Sequence, residues 1–201
     1  MGVEGGRRFR LISLNQLVED IADALSAIDA KKPAFKQFQP GIGPYSENEI
    51  SRLVFARLME TMPVRYKSAR SQRTPDWLIP GEWMIEFKIL RPFGDNGREA
   101  EHWSQNLLHP YRGNTSTIGD ALKLLDSSRS EKKAIIVIGY EHEPAQIELE
   151  PCFRGFEILA NELMRINLSA RVEVRRNRLV HPVHQVVVVC GWQVLEINHP
   201  D

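Results

Sequence analysis

Two short segments, Pro75–Ile79 and Trp83–Leu90, flank Pro80-Gly81-Glu82 and restrict the folding choices of this chain more than any other stretch. Both are rich in the aromatic and branched residues that suit a pleated surface, and Pro-Gly is a turn dipeptide. A β-hairpin follows. Side chains alternate along a strand, so Glu86 and Lys88 share one face while Ile85, Phe87 and Ile89 share the other. A three-residue turn pairs Ile79 with Trp83 and, counting outward, sets Asp76 opposite Glu86. A turn of different length by one residue would pair Asp76 with Ile85 and send its carboxylate to the wrong face.

Upstream, Leu14, Leu17, Val18, Ile21, Leu25 and Ile28 recur at helical spacing behind Ser13, a suitable cap. Lys31–Tyr45, interrupted by prolines and glycines, reads as an ordered loop. Within it, Gly41-Ile42-Gly43-Pro44 lacks the lysine and preceding strand of a phosphate-binding loop and reads as a turn. Ser46-Glu47-Asn48-Glu49 has capping-box spacing and opens a second helix to about Met62.

Downstream of the hairpin, a loop around Gly94–Gly97 leads to a helical stretch near Glu99–Leu108, a second loop over Pro110–Gly119, and a helix opening at Asp120–Leu125. Lys133–Tyr140 contains a continuous apolar run, as in a strand covered on both faces. Phe153–Leu168 has helical periodicity, and Arg171–Arg175 and Gln185–Ile197 read as strands. The expected fold is α/β, a central mixed β-sheet flanked by helices. The 201 residues suit one domain, with an N-terminal helix and loop over 1–45, a core over 46–140, and a C-terminal helix and strands over 141–201.

Charge and cysteine usage exclude several classes. Lys and Arg balance Asp and Glu at zero net charge, which argues against a general nucleic-acid coater, although a local basic surface can exist on a neutral molecule. Cys152 and Cys190 have no CxxC or Cys/His spacing, so neither a zinc finger nor an iron–sulfur cluster is expected. The basic start lacks a following apolar region, and the apolar runs are strand-length, so a cytoplasmic location with no membrane association is expected.

Two acidic groups brought together at Asp76 and Glu86 repel unless a cation lies between them, and hard oxygen ligands suit Mg²⁺ or Mn²⁺. Lys88 beside such an ion could position or deprotonate an attacking water and offset charge on a pentacovalent phosphate. Pro75-Asp76, nine intervening residues, then Glu86-Phe87-Lys88 resembles the PD-(D/E)xK signature of restriction-endonuclease-like nucleases. The resemblance covers roughly 41–140 and implies that Asp76 and Glu86 bind metal with the backbone carbonyl of Phe87, and that Lys88 assists the nucleophilic water. It implies a Mg²⁺-dependent DNA endonuclease of restriction, repair or recombination type. Members often add a glutamate from the preceding helix. At about 100° per residue, Glu47 lies near the centre of the apolar face formed by Ile50, Leu53, Val54 and Leu58, whereas Glu49 points away and has a capping task. Glu47 is therefore the preferred third carboxylate, reaching the metal through water.

Candidate DNA contacts are Arg70 and Arg73 in the basic run before Asp76, Gln105 on the next helix, and Arg112, Asn114, Ser116 and Lys123 around a loop entering a helix. Loops and helix caps contain the same residue types for local reasons. His181-Pro182-Val183-His184 has metal-compatible spacing but no acidic neighbour in sequence, and reads as a turn with surface histidines. A homodimer would suit double-strand cleavage, and any helicase, methylase or recombination partner would be a separate chain. Two alternatives stand beside the nuclease: a catalytically inactive nucleic-acid-binding or assembly protein of the same fold, and a metal hydrolase acting on a small phosphate ester, which would need a closed pocket.

Overall fold

The computed structural model describes residues 11–110 and 116–196. Its elements, in chain order, are α1 (Leu14–Asp29), α2 (Glu47–Thr61), α3 (Pro63–Tyr66), β1 (Arg70–Ser71), β2 (Trp77–Ile79) and β3 (Trp83–Leu90). There follow α4 (Gln105–Leu108), α5 (Thr117–Leu125), β4 (Lys132–Glu141), α6 (Glu150–Ile158), a π-helical turn at Leu159–Leu163, β5 (Asn167–Leu168), β6 (Val172–Arg176) and β7 (Val186–Leu195).

The strands form one mixed seven-stranded sheet in the order β1-β2-β3-β4-β7-β5, with β6 also paired to β7. Only β3 and β4 run parallel; the other pairs are antiparallel. The fold is therefore α/β with a mixed sheet, as the alternation of helical and strand periodicities predicts. Helices α1, α2 and α3 cover one face, against Trp83, Ile85, Phe87, Ile136, Ile138, Val187 and Val189. Helices α4, α5 and α6 cover the other, against Met84, Leu90, Ile135, Val137, Val188, Cys190 and Trp192. Burial on both faces accounts for the unbroken apolar runs of β4 and β7. Among the described residues, no helix is long and apolar enough to cross a membrane.

The hairpin has the three-residue turn that the site requires: Ile79 pairs with Trp83 and Trp77 with Ile85. Gly81 occupies its tip at φ 75°, where a side chain would be strained. Ser13 caps α1, and Ser46 with Glu49 forms the capping box of α2. Trp77 Nε1 donates to Ser51 Oγ at 2.8 Å and ties α2 to the hairpin.

Three element expectations need correction. The helix expected over Glu99–Leu108 is confined to Gln105–Leu108 and preceded by turns. Helix α5 begins at Thr117, capped by Ser116, so it absorbs the end of the expected loop. The helix expected over Phe153–Leu168 starts earlier, at Glu150, and gives way to the π-turn and β5, because Asn167 and Leu168 pair with the end of β7. A backbone partner on a neighbouring strand overrides helical periodicity there.

Candidate active site

Strand β2 begins at Trp77, so among the described residues β3 has no strand partner on that side beyond Ile85. Its amides must be satisfied in another way. Asp76 Oδ2 accepts from Phe87 N at 2.8 Å, and Glu47 Oε2 accepts from Ile89 N at 3.1 Å. Two carboxylates thus continue the ladder in place of a strand. A residue's N–H and C=O point to the same side of a strand, so the Phe87 carbonyl also faces this open edge.

Glu86 and Lys88 lie between Met84 and Leu90 on the opposite face of β3, toward α5. Glu86 is buried, and the register of the hairpin sets Asp76 opposite it, close enough for the two carboxyl groups to interact. Lys88 Nζ lies 2.8 Å from Asp120 Oδ2 and 3.5 Å from Glu47 Oε1. Asp120, buried in the first turn of α5, also meets Lys123 Nζ at 2.8 Å through Oδ1. In the sequence Asp120 stands as an ordinary first-turn acid with no motif to mark it as part of a site. The available signal was its position one turn before Leu124, on the helix face that packs into the core.

Four carboxylates, from Glu47, Asp76, Glu86 and Asp120, therefore meet two ammonium groups, from Lys88 and Lys123. Burial raises the Glu86 pKa to about 8, and the charges of Asp76 and Asp120 add to the shift. Burial also raises the pKa values of Asp76 and Glu47; for Glu47, Lys88 opposes the rise and Asp76 reinforces it. Buried carboxylates this close together repel one another, and a cation among them would relieve the repulsion. Burial by itself would lower the Lys88 pKa, but Glu47 and Asp120 outweigh it and hold the ammonium more firmly protonated than an ordinary lysine.

The residues fit a hard divalent ion: Asp76 and Glu86 supply carboxylate oxygens, Phe87 a carbonyl at the open edge, and Glu47 an outer carboxylate. Glu49 is engaged elsewhere, accepting from Ser46 N at 3.2 Å and Ser46 Oγ at 2.5 Å, and the Ser46 hydroxyl lowers its pKa. Of the two glutamates, Glu47 is the one whose side chain reaches β3.

The expected nucleic-acid contacts are placed unevenly. Arg70, in β1 opposite Leu78, and Arg73 are exposed on the approach to Asp76. Arg65, from the same basic run, turns inward to Asp20. Gln105 is exposed, and its amide meets His102 Nδ1 at 3.0 Å. Ser116 is buried and accepts from Gly119 N at 3.2 Å as the cap of α5, so its hydroxyl is committed internally. Lys123 is half-exposed beside Asp120. Arg112 and Asn114 lie outside the described residues. The expectation of surface histidines at 181 and 184 is corrected: both are buried, because the Gly41–Pro44 loop closes over them.

No protein-family model matches this chain, and neither the curated proteins nor the solved structures provide a match to it.

Proposed function

We propose that this protein is a Mg²⁺- or Mn²⁺-dependent DNA endonuclease of the PD-(D/E)xK type, with a restriction-endonuclease-like core formed by α2, β1–β4 and the helices between β3 and β4. The observation that carries this reading is the convergence of Asp76, Glu86, Glu47 and Lys88 around the open edge of β3.

A bound divalent ion would supply an acidified water and polarise a phosphoryl oxygen. Asp76, Glu86 and the Phe87 carbonyl would hold it. Glu47, hydrogen-bonded to Ile89 N, would orient a water at its edge. Lys88, held as an ammonium by Asp120 and Glu47, would neutralise charge developing on the phosphate and align the nucleophile. Its raised pKa favours this electrostatic role over that of proton acceptor. Arg70 and Arg73 are exposed where a backbone phosphate could approach.

The test is cleavage of supercoiled, linear, single-stranded and branched DNA by the purified full chain in Mn²⁺ and Mg²⁺, alongside Asp76→Asn and Lys88→Met. Cleavage by wild type and its loss in both variants is the expected result. Variants that cut as fast as wild type would overturn the assignment. Divalent-ion binding without cleavage of any DNA would favour the inactive, nucleic-acid-binding alternative.

A further inference from the structure

We infer that Asp95, His181 and His184 form a second cation site, suited to a divalent transition ion of the zinc class and separate from the carboxylates around Asp76. One ligand atom from each of the three residues lies within 4.8 Å of the others. Imidazole nitrogens with a carboxylate suit zinc and its neighbours rather than magnesium, which prefers oxygen.

The histidines are 0% and 1% exposed, and their rings stack with centroids 4.7 Å apart. His184 Nε2 lies 3.0 Å from the Phe93 carbonyl, which places that ring's proton on Nε2 and leaves a lone pair on Nδ1. A ligating histidine is usually fixed in this way through its other nitrogen. Nδ1 itself is buried, has no hydrogen-bond partner among the described residues and lies 3.9 Å from Asp95 Oδ1. His181 Nε2 is buried and likewise has no partner among the described residues. Burial lowers the pKa of both rings, so both are neutral near pH 7 and the Asp95 contact is not an ion pair. Buried polar atoms are nearly always satisfied, and a cation would satisfy the His184 Nδ1 lone pair beside the Asp95 carboxylate.

His181 Nδ1 accepts the backbone amides of Val183 and His184 at 3.2 and 3.3 Å, long for such contacts. Coordination through His181 Nε2 requires these two contacts to open as the ring proton moves to Nδ1. Asp29 places a further negative charge near His181, and Arg91 an opposing positive one. A surface depression of ≈ 360 Å³, lined by Gln37, Phe38, Gln39, Gly94, Asp95 and Asn96, brings solvent to Asp95.

The site joins the loop after β3 to the loop before β7, and the loop that delivers α2 packs upon it. A Cβ on Gly43 would stand 2.3 Å from His184 Nδ1. Asp29 links the same loops, accepting from Ile42 N at 2.8 Å and Val180 N at 2.6 Å. A bound ion would thus stiffen the segment that enters the helix carrying Glu47.

The test uses the full chain, stripped with a chelator and titrated with Co²⁺ and then Zn²⁺ in excess Mg²⁺. One equivalent of Co²⁺ with visible ligand-field bands, displaced by Zn²⁺, is expected for wild type and for Asp76→Asn. Asp95→Ala, at a side chain 25% exposed, should weaken binding at least about tenfold, and His184→Gln should abolish the bands. Absence of Co²⁺ bands from natively folded protein, or wild-type affinity in Asp95→Ala, would overturn the inference. So would an equivalent of Co²⁺ lost in Asp76→Asn but kept in His184→Gln, which would assign the ion to the carboxylate cluster.

Discussion

Asp76 Oδ2 takes the backbone N–H of Phe87 at 2.8 Å, so the residue that leads into β2 occupies the ladder position that β2 itself leaves vacant. The same side chain contacts Glu86. One short segment therefore both completes the sheet edge and brings two acids together. Neutralising either acid should separate stability from function. Asp76→Asn or Glu86→Gln removes a buried like-charge repulsion and should raise the Tm of the metal-free protein near pH 8. The same change should weaken Mn²⁺ binding by about 10²-fold or more, as measured by calorimetry.

Glu86 also predicts a pH dependence. Its folded pKa, about 8, lies above the ordinary value of 4.5, so between these limits the folded metal-free protein binds more protons than the unfolded chain. Stability from this group is complete below pH 4.5 and is lost as pH rises through about 8. Thermal melts across this window should show a decline in the metal-free protein that Glu86→Gln flattens. Mg²⁺ should offset the decline, and below pH 8 its binding should release protons, seen as a buffer-dependent binding enthalpy. A Glu86→Gln profile parallel to wild type would remove the basis for this linkage.

Lys88 is clamped by Asp120 at 2.8 Å and by Glu47 at 3.5 Å. If its ammonium stabilises transition-state charge, Lys88→Met should lower kcat by about 10²–10³-fold while divalent-ion affinity changes far less. Asp120→Asn removes one of the groups that raise the lysine pKa. It should lower the alkaline limit of the pH–rate profile, a readout that simple loss of packing would not move.

The hairpin offers a geometric test. Deleting Leu78 from β2, with the Pro80-Gly81-Glu82 turn kept, would pair Asp76 with Ile85 and turn it away from Glu86. Metal binding and cleavage should both be lost, with the far-ultraviolet circular dichroism largely retained.

Gly43→Ala would press a methyl group against the His184 ring, at 2.3 Å from Nδ1 before relaxation. Such overpacking costs about 1–3 kcal/mol, measurable by denaturant unfolding. Gly81→Ala, with open space around its Cβ, tests backbone strain alone and should have the smaller effect.

Local pattern carried the hairpin, the capping box of α2 and the preference for Glu47, because each depends on residues within one or two turns or strands. Period-two alternation put Glu86 and Lys88 on one face, and the three-residue turn put Asp76 opposite Glu86. Other features depend on chain segments far apart in sequence. Asp120 meets Lys88 only because α5 packs across β3, and Asp95 meets His181 and His184 only because two loops converge. Periodicity also failed over Phe153–Leu168, where pairing of β5 with β7 competes with the helix. Alternation and turn chemistry are properties of neighbouring residues, so the α/β pattern and the acidic hairpin motif are legible in the chain alone. Which charges face one another and which histidines are buried depends on packing between distant elements, which sequence spacing does not encode.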